Sequence, residues 1–173
     1  PAVIKMLTLS RRPNETRESV LKSLNIVPLV IAYELDPCDE LKAAELSAGA
    51  NYIKAEFEDV ASMSLGITGQ KGRVHLHFGD PLDPELDVAG VVSAIDQQMV
   101  AYYRLYRTNV WAWEWLHGEK VPDFVTPHQG EISESAFRLR IEAAPMQYRD
   151  QLLAMYANPV SRLLSETVAT EGA

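Results

Sequence analysis

The sequence predicts an α/β fold in which a partial mixed sheet is flanked by helices, with a long helix and a C-terminal helical appendage behind it. Three observations point there. Ile26-Val27-Pro28-Leu29-Val30-Ile31-Ala32-Tyr33 is a short continuous apolar run rich in β-branched residues, the pattern of a strand buried on both faces. Arg73-Val74-His75-Leu76-His77-Phe78 alternates strictly and puts Val74, Leu76 and Phe78 on one face of a second strand. Two helical stretches lie between these strands, and the order strand, helix, helix, strand gives an α/β layer.

The elements follow in order. Ala2-Val3-Ile4-Lys5-Met6-Leu7 is apolar and helix-like, and with Pro1 rather than Met in first place it reads as a chain cut from something longer. From about Asn14 to Leu24, Val20, Leu21 and Leu24 share one side of an amphipathic helix whose charged residues lie mainly elsewhere. Pro28 has no amide donor, so it belongs at a bulge or where no ladder partner is needed. Asp36-Pro37-Cys38-Asp39 spells a helix start: a cap, a proline at the first helical position and an acid in the first turn. That helix should run to about Ser47, before Gly49. Ile53 to Phe57 fits no template, and Glu58-Asp59 opens a short helix ending near Gly66.

From Asp87 onward Val88, Val91, Val92, Ile95, Met99, Tyr102, Tyr103, Tyr106 and Val110 recur at helical spacing, which predicts one long helix into Trp113, weakest near Thr108-Asn109. Gly118 to Gly130 holds Pro122 and Pro127 with little periodicity and reads as a linker. Beyond it Ile132–Ile141, Tyr148–Tyr156 and Val160–Leu164, separated by Pro145 and Pro159, form the appendage. The implied organisation is an α/β domain over 1–117, a linker over 118–130 and a helical appendage over 131–173.

With 173 residues, 47% of them hydrophobic, the chain can bury one sizeable core. Its net charge of −8 offers no long-range attraction for nucleic-acid phosphate, so nucleic acid is not an expected partner. A single cysteine, Cys38, excludes an internal disulfide, and without a signal-peptide pattern the chain reads as cytoplasmic. No stretch approaches the roughly 20 apolar residues of a spanning helix, which leaves peripheral contact at the inner membrane face open.

Several blocks resemble the glycerol acyltransferase family of the lysophosphatidic acid acyltransferase type. They are Ile4-Lys5-Met6, then Leu24 to Glu34 with Asp36-Pro37-Cys38-Asp39, then Gly72 to His77 with Pro81-Leu82, and Tyr103-Arg104-Leu105. Their order and spacing are similar to the second half of that family. The resemblance implies transfer of an acyl group from a thioester donor, acyl-CoA or acyl carrier protein, to a lysophospholipid or related glycerol derivative, with no bound cofactor. It also implies that the family's His-x-x-x-x-Asp motif, whose histidine deprotonates the acceptor hydroxyl, lies upstream, so that this chain alone is inactive. The Val-Pro motif at Val27 and Pro28 is the one family block present, and it is expected to line the acceptor or acyl site.

His75-Leu76-His77-Phe78-Gly79-Asp80 satisfies His-x-x-x-x-Asp formally. In a strand those ends lie roughly 16 Å apart on opposite faces, so His75 can be the general base only if the chain turns sharply at Phe78-Gly79; otherwise it is a sheet-face histidine. His75 and His77, with His117 or His128, are too few placed ligands to predict a metal site. Glu34, Asp36 and Asp39 cluster where a strand ends, the usual place for ligands in open α/β sheets. Glu34 and Asp36 are therefore candidate substrate-binding residues, against the competing reading that Asp36 caps the helix and Asp39 complements its dipole. Cys38, beside the same helix start, is either acidified by the dipole or a buried inert thiol. Trp111, Trp113 and Trp115 follow Tyr102, Tyr103 and Tyr106, an aromatic segment suited to a membrane interface or, given Trp111 and Trp115 one helical turn apart, to a core.

Two functions stay open on the sequence. In one, the chain supplies part of the sheet, the Val-Pro wall and a cap for an acyltransferase, and its uncovered sheet drives self-association or pairing with a missing N-terminal half. In the other, it is a non-catalytic interaction module on the same fold, with the tail after Gly130 added for a partner.

Overall fold

A computed structural model describes residues 2–9 and 11–171, so the expected segment ends at Pro1 and Ala173 lie outside the described residues. In chain order the elements are α1 (Ala2–Leu7), α2 (Arg17–Ser23), β1 (Leu29–Tyr33), α3 (Asp39–Ala48), α4 (Glu58–Thr68), β2 (Val74–Phe78), α5 (Val88–Tyr102), α6 (Arg107–His117), α7 (Glu134–Ala143) and α8 (Arg149–Glu171). The chain is about 58% helical, and both α and β elements are present. It forms two compact units, Pro1–Ile31 with Leu76–Tyr103, and Ala32–His75 with Arg104–Ala173.

In the first unit Ile4, Leu21, Leu82 and Val91 make a core, with Ile26 and Ile95 packed against it. Helix α2 starts where Thr16 and Ser19 exchange side-chain to backbone hydrogen bonds at 3.0 and 3.1 Å, a reciprocal cap. Helix α5 starts where Asp87 Oδ1 accepts the Gly90 amide at 2.7 Å.

Strands β1 and β2 pair as a two-stranded antiparallel sheet rather than the expected mixed one. The Gly79 amide donates to the Pro28 carbonyl and the Glu34 amide to the Arg73 carbonyl, each at 2.9 Å. This register puts Leu29 opposite Phe78 and Ile31 opposite Leu76. Pro28 stands just before β1, where its missing donor costs no ladder bond. Strand β1 is buried on one face only: Val30 and Ala32 are enclosed, while Leu29 is 48% and Ile31 40% exposed. In β2 the predicted alternation is present, but the apolar residues face outward, Leu76 at 50% and Phe78 at 69% exposure. Continuous apolarity therefore predicted two-sided burial where this chain covers one side.

The second unit is built on helix packing. Helix α8 lies along α6 and α3, and Phe137, Leu152 and Val160 are fully or almost fully buried. Residues 131–167 therefore pack into this unit rather than standing apart as an appendage. Pro159 does not separate two helices, because α8 continues through it. Residues 118–130 are likewise no free linker, since Val125 is buried and the His128 amide donates to the Leu105 carbonyl at 2.8 Å. The long helix predicted from Asp87 is two helices, and its break falls at Tyr103–Tyr106, ahead of Thr108-Asn109. Asn109 explains this: its Oδ1 accepts the Tyr106 amide at 2.8 Å and so caps the start of α6. Helix α4 runs past Gly66 to Thr68 and buries no residue.

Candidate functional site

In the second unit the start of α3 meets α7 and α8 in a buried polar cluster. Asp39, 3% exposed, accepts from Arg140 through two parallel bonds, Nε to Oδ2 at 2.7 Å and Nη2 to Oδ1 at 2.8 Å, the bidentate geometry a guanidinium favours. Arg140 Nη2 also donates to the Asp36 carbonyl at 3.0 Å. The Tyr156 hydroxyl donates to Asp39 Oδ2 at 2.6 Å and accepts the Asp36 amide at 3.0 Å. Burial, reinforced by the Asp39 charge and hydrogen bond, pushes the Tyr156 phenol far up, so it stays a donor. Burial alone would lower the Arg140 pKa, but its hydrogen bond and attraction to Asp39 more than offset that and raise it.

Asp39 and Arg140 of this cluster line a cleft of about 640 Å³ between the start of α3, helix α4, helix α7 and Leu152 of α8. Leu41, Leu65, Leu139 and Ala143 line its walls, and Asp39, Glu40 and Arg140 supply its charged groups. Asp39 and Arg140 neutralise each other there, while Glu40 adds an exposed carboxylate.

Glu34 sits in a different setting. Its side chain is 1% exposed. Oε1 accepts the Ile132 amide at 2.7 Å, and Oε2 accepts the Glu131 amide at 3.0 Å and the Arg73 amide at 2.9 Å. A Cβ on Gly130 would lie 1.8 Å from Oε1, and one on Gly72 would lie 2.5 Å from Oε2, so both glycines are needed for backbone to close on the carboxylate. The Glu34 carbonyl accepts from the buried Thr108 hydroxyl at 2.8 Å. Glu34 is thus a tether between the end of β1, the approach to β2 and the segment before α7. Its carboxylate is spent on backbone donors, which removes it as a substrate ligand.

The other expected residues divide as follows. Val27 is 40% exposed and Pro28 is buried, both in the first unit, whereas Glu34 and Asp36 belong to the second. Asp36 is not the cap of α3 and Pro37 is not its first residue: the helix begins at Asp39 behind Cys38, which makes no side-chain cap bond, while Asp36 Oδ1 accepts the Cys38 amide at 2.9 Å and its Oδ2 pairs with Lys42. Asp39 lies in the first turn of α3 as expected, but its carboxylate is taken by Arg140 and Tyr156. Cys38 is partly buried, with Sγ 3.3 Å from the Ser62 carbonyl.

His75 stays a sheet-face residue, because the ladder continues through Gly79 without the sharp turn a His75–Asp80 pair would require. His77 stacks on Tyr102 at 4.0 Å. Among the described residues no three His, Cys, Asp or Glu side chains gather as a metal site needs. Trp111 and Trp115 flank buried Phe137 at 6.3 and 5.5 Å, and Tyr156 meets its edge at 5.0 Å, so these rings serve a core. Among the described residues no helix is long and apolar enough to cross a membrane.

Sequence reasoning missed Arg140, Tyr156 and the Glu34 tether. Asp39 had signalled only a helix start, and Arg140 reads as one more exposed charge in Arg138-Leu139-Arg140. Comparison with protein-family models, curated sequences and solved structures finds no match.

Proposed function

We propose that this chain is part of an acyltransferase moving an acyl group from a thioester donor, acyl-CoA or acyl carrier protein, to a hydroxyl of a lysophospholipid or related glycerol derivative. On this reading the general-base histidine lies on a companion segment, Val27 and Pro28 form a wall of the acceptor or acyl site, and this chain by itself is inactive. The blocks around Val27-Pro28, Asp36-Pro37-Cys38-Asp39 and Gly72 to His77 motivate the reaction class.

The observation that carries the proposal is the bare sheet face. Leu29, Ile31, Leu76 and Phe78 are each at least 40% exposed in one register-matched patch, on a sheet of two strands. Two strands alone are marginal in water, and a contiguous apolar face calls for a cover. A companion segment that adds strands or helices there supports the acyltransferase reading. The same face could equally dock a regulatory partner, the second reading, in which no chemistry occurs.

The test is thioester release with a lysophospholipid acceptor, run on this chain and on a longer gene product carrying an upstream His-x-x-x-x-Asp. Turnover by the longer protein alone is expected. Turnover by this chain alone would make the companion-segment idea wrong and send attention to His75. No turnover by either, together with tight capture of a partner on the sheet face, would favour the interaction module.

A further inference from the structure

The edge of β2 is open over one short, symmetric stretch. The ladder bonds of Arg73 and Gly79 point toward β1, so alternation directs the backbone groups of Val74, Leu76 and Phe78 away from it. The sheet has two strands, and among the described residues nothing bonds those outward groups. At the far end the chain closes its own edge. Gln98 Oε1 accepts the Asp80 amide at 2.9 Å and Gln98 Nε2 donates to the Asp80 carbonyl at 3.0 Å, a side-chain amide standing where a neighbouring strand would be. Gly79 admits it, because a Cβ there would fall 2.0 Å from Gln98 Oε1. At the near end Gly72, with φ 60°, turns the chain out of the extended conformation. The open edge is therefore Val74–Phe78, centred on Leu76.

From this edge we infer that the chain forms a two-fold dimer in which β2 pairs antiparallel with β2 of a second copy, Leu76 opposite the partner's Leu76, to give a four-stranded sheet. A two-stranded sheet is marginal in water, and four strands are an ordinary size. Three observations favour that partner. A two-fold through Leu76 leaves no outward group of the open edge unpaired: Val74 meets the partner's Phe78, Leu76 the partner's Leu76 and Phe78 the partner's Val74, each pair exchanging both N–H···O bonds. On the exposed face the same register sets leucine on leucine and an aromatic ring on a β-branched side chain, which are favourable cross-strand pairs. The charges fit as well. Lys71 and Arg73 lead into β2 and Asp80 and Asp83 follow it, with no Asp, Glu, Lys or Arg between. Antiparallel pairing brings the basic end of each strand to the acidic end of the other, whereas parallel pairing would oppose like charges. Lastly, Val74–Phe78 holds no lysine, proline or bulge, the devices that ordinarily keep an edge from pairing. The pairing leaves the apolar face to a companion segment and uses strand geometry alone, so it is independent of the acyltransferase reading.

The experiment is register-specific crosslinking of the full chain in a Cys38→Ser background, which removes its one native cysteine, with association followed by sedimentation velocity. Leu76→Cys should oxidise to a disulfide-linked dimer, since directly opposed residues of a hydrogen-bonded pair lie about 5.5 Å apart at Cα, within disulfide reach. Val74→Cys alone and Phe78→Cys alone should not crosslink, because each lies four residues, roughly 14 Å, from its own copy; a mixture of the two should. Leu76→Asp sets two carboxylates opposite one another and should raise the dimer dissociation constant about tenfold or more, as should Leu76→Lys. Mixing those two variants should restore a dimer, a rescue that misfolded chains could not give. A parent chain that sediments as a monomer at its highest soluble concentration overturns the inference. So does a dimer that fails to crosslink through Leu76→Cys, which would put the contact on the sheet face or elsewhere, or one that crosslinks as well through Val74→Cys alone, which would mean another register. Turnover in the thioester assay tests the proposed reaction and moves none of these readouts.

Discussion

Removing the Glu34 carboxylate should cost more stability than any other single polar change in the chain. Three backbone amides, from Arg73, Glu131 and Ile132, point at its two oxygens between 2.7 and 3.0 Å. Hydrogen bonds to an ionised acceptor contribute about 1.5–3 kcal/mol each, and donors left without a partner carry a desolvation penalty of similar size. Allowing for non-additivity and for water reaching the less enclosed amides, Glu34→Ala should lose about 3–6 kcal/mol, a large share of a typical 5–15 kcal/mol. Glu34→Gln should lose about 2 kcal/mol, because its amide nitrogen must face a backbone donor. Gly130→Ala sharpens the test. Its new Cβ would meet Glu34 Oε1 at 1.8 Å, an overlap costing about 1–3 kcal/mol, and that cost should vanish in the Glu34→Ala background. Urea unfolding followed by tryptophan fluorescence reads the relevant unit, since Trp111, Trp113 and Trp115 all lie in it. Additive costs in the double variant, or a Glu34→Gln protein within about 0.5 kcal/mol of the parent, would refute the tether.

Three further outcomes are expected. Arg140→Met leaves the Asp39 carboxylate, 4% exposed, without its cationic partner and should cost about 3 kcal/mol, with Tyr156→Phe costing about 1–3 kcal/mol; calorimetric unfolding checks both. The Tyr52 hydroxyl donates to Glu58 at 2.5 Å, which pushes the phenol up to about 12 and holds the carboxyl below its usual value. The Glu58 contribution should therefore be present above its unfolded pKa of 4.5 and fade as pH falls through the lowered folded value, while that of Tyr52 is present below 10 and fades as pH rises through about 12. Ultraviolet titration of the parent against Glu58→Gln should show one tyrosine returning toward 10. Finally, Leu76→Asp with Phe78→Asp alters side chains that are 50% and 69% exposed and should reduce self-association in sedimentation velocity while changing unfolding by less than about 1 kcal/mol. Unaltered association would place the sticky surface elsewhere.

The sequence carried the local features well. Alternation at Arg73 to Phe78, the acid in the first turn of α3 at Asp39, and the helical spacing that puts Trp111 and Trp115 one turn apart are each set by neighbours within a few residues, and each is present in the fold. What was not legible depends on distance along the chain. Glu34 meets the Glu131 amide across 97 residues, and Arg140 meets Asp39 across 101; no periodicity encodes such a meeting. The break before α6 was hidden for a different reason. Tyr102, Tyr106 and Val110 keep helical spacing straight through it, and the contrary signal was the single side chain of Asn109 turned back on the Tyr106 amide.

The misread burial has one physical root. Hydrophobic patterning reports how much of a segment is shielded from water in whatever state the sequence is adapted to, and it is blind to which molecule does the shielding. In β1 the continuous apolar run fits cover on two faces, yet this chain covers the side of Val30 and Ala32 alone. In α4 the apolar line faces outward while glycine and serine face in. Each mismatch therefore points to a surface whose apolar character this chain's own packing does not use. On the proposed reading the exposed face of the two-stranded sheet calls for further strands or helices from a companion segment. Asp at Leu76, a side chain 50% exposed on that face, should therefore reduce association by itself while leaving the fold intact.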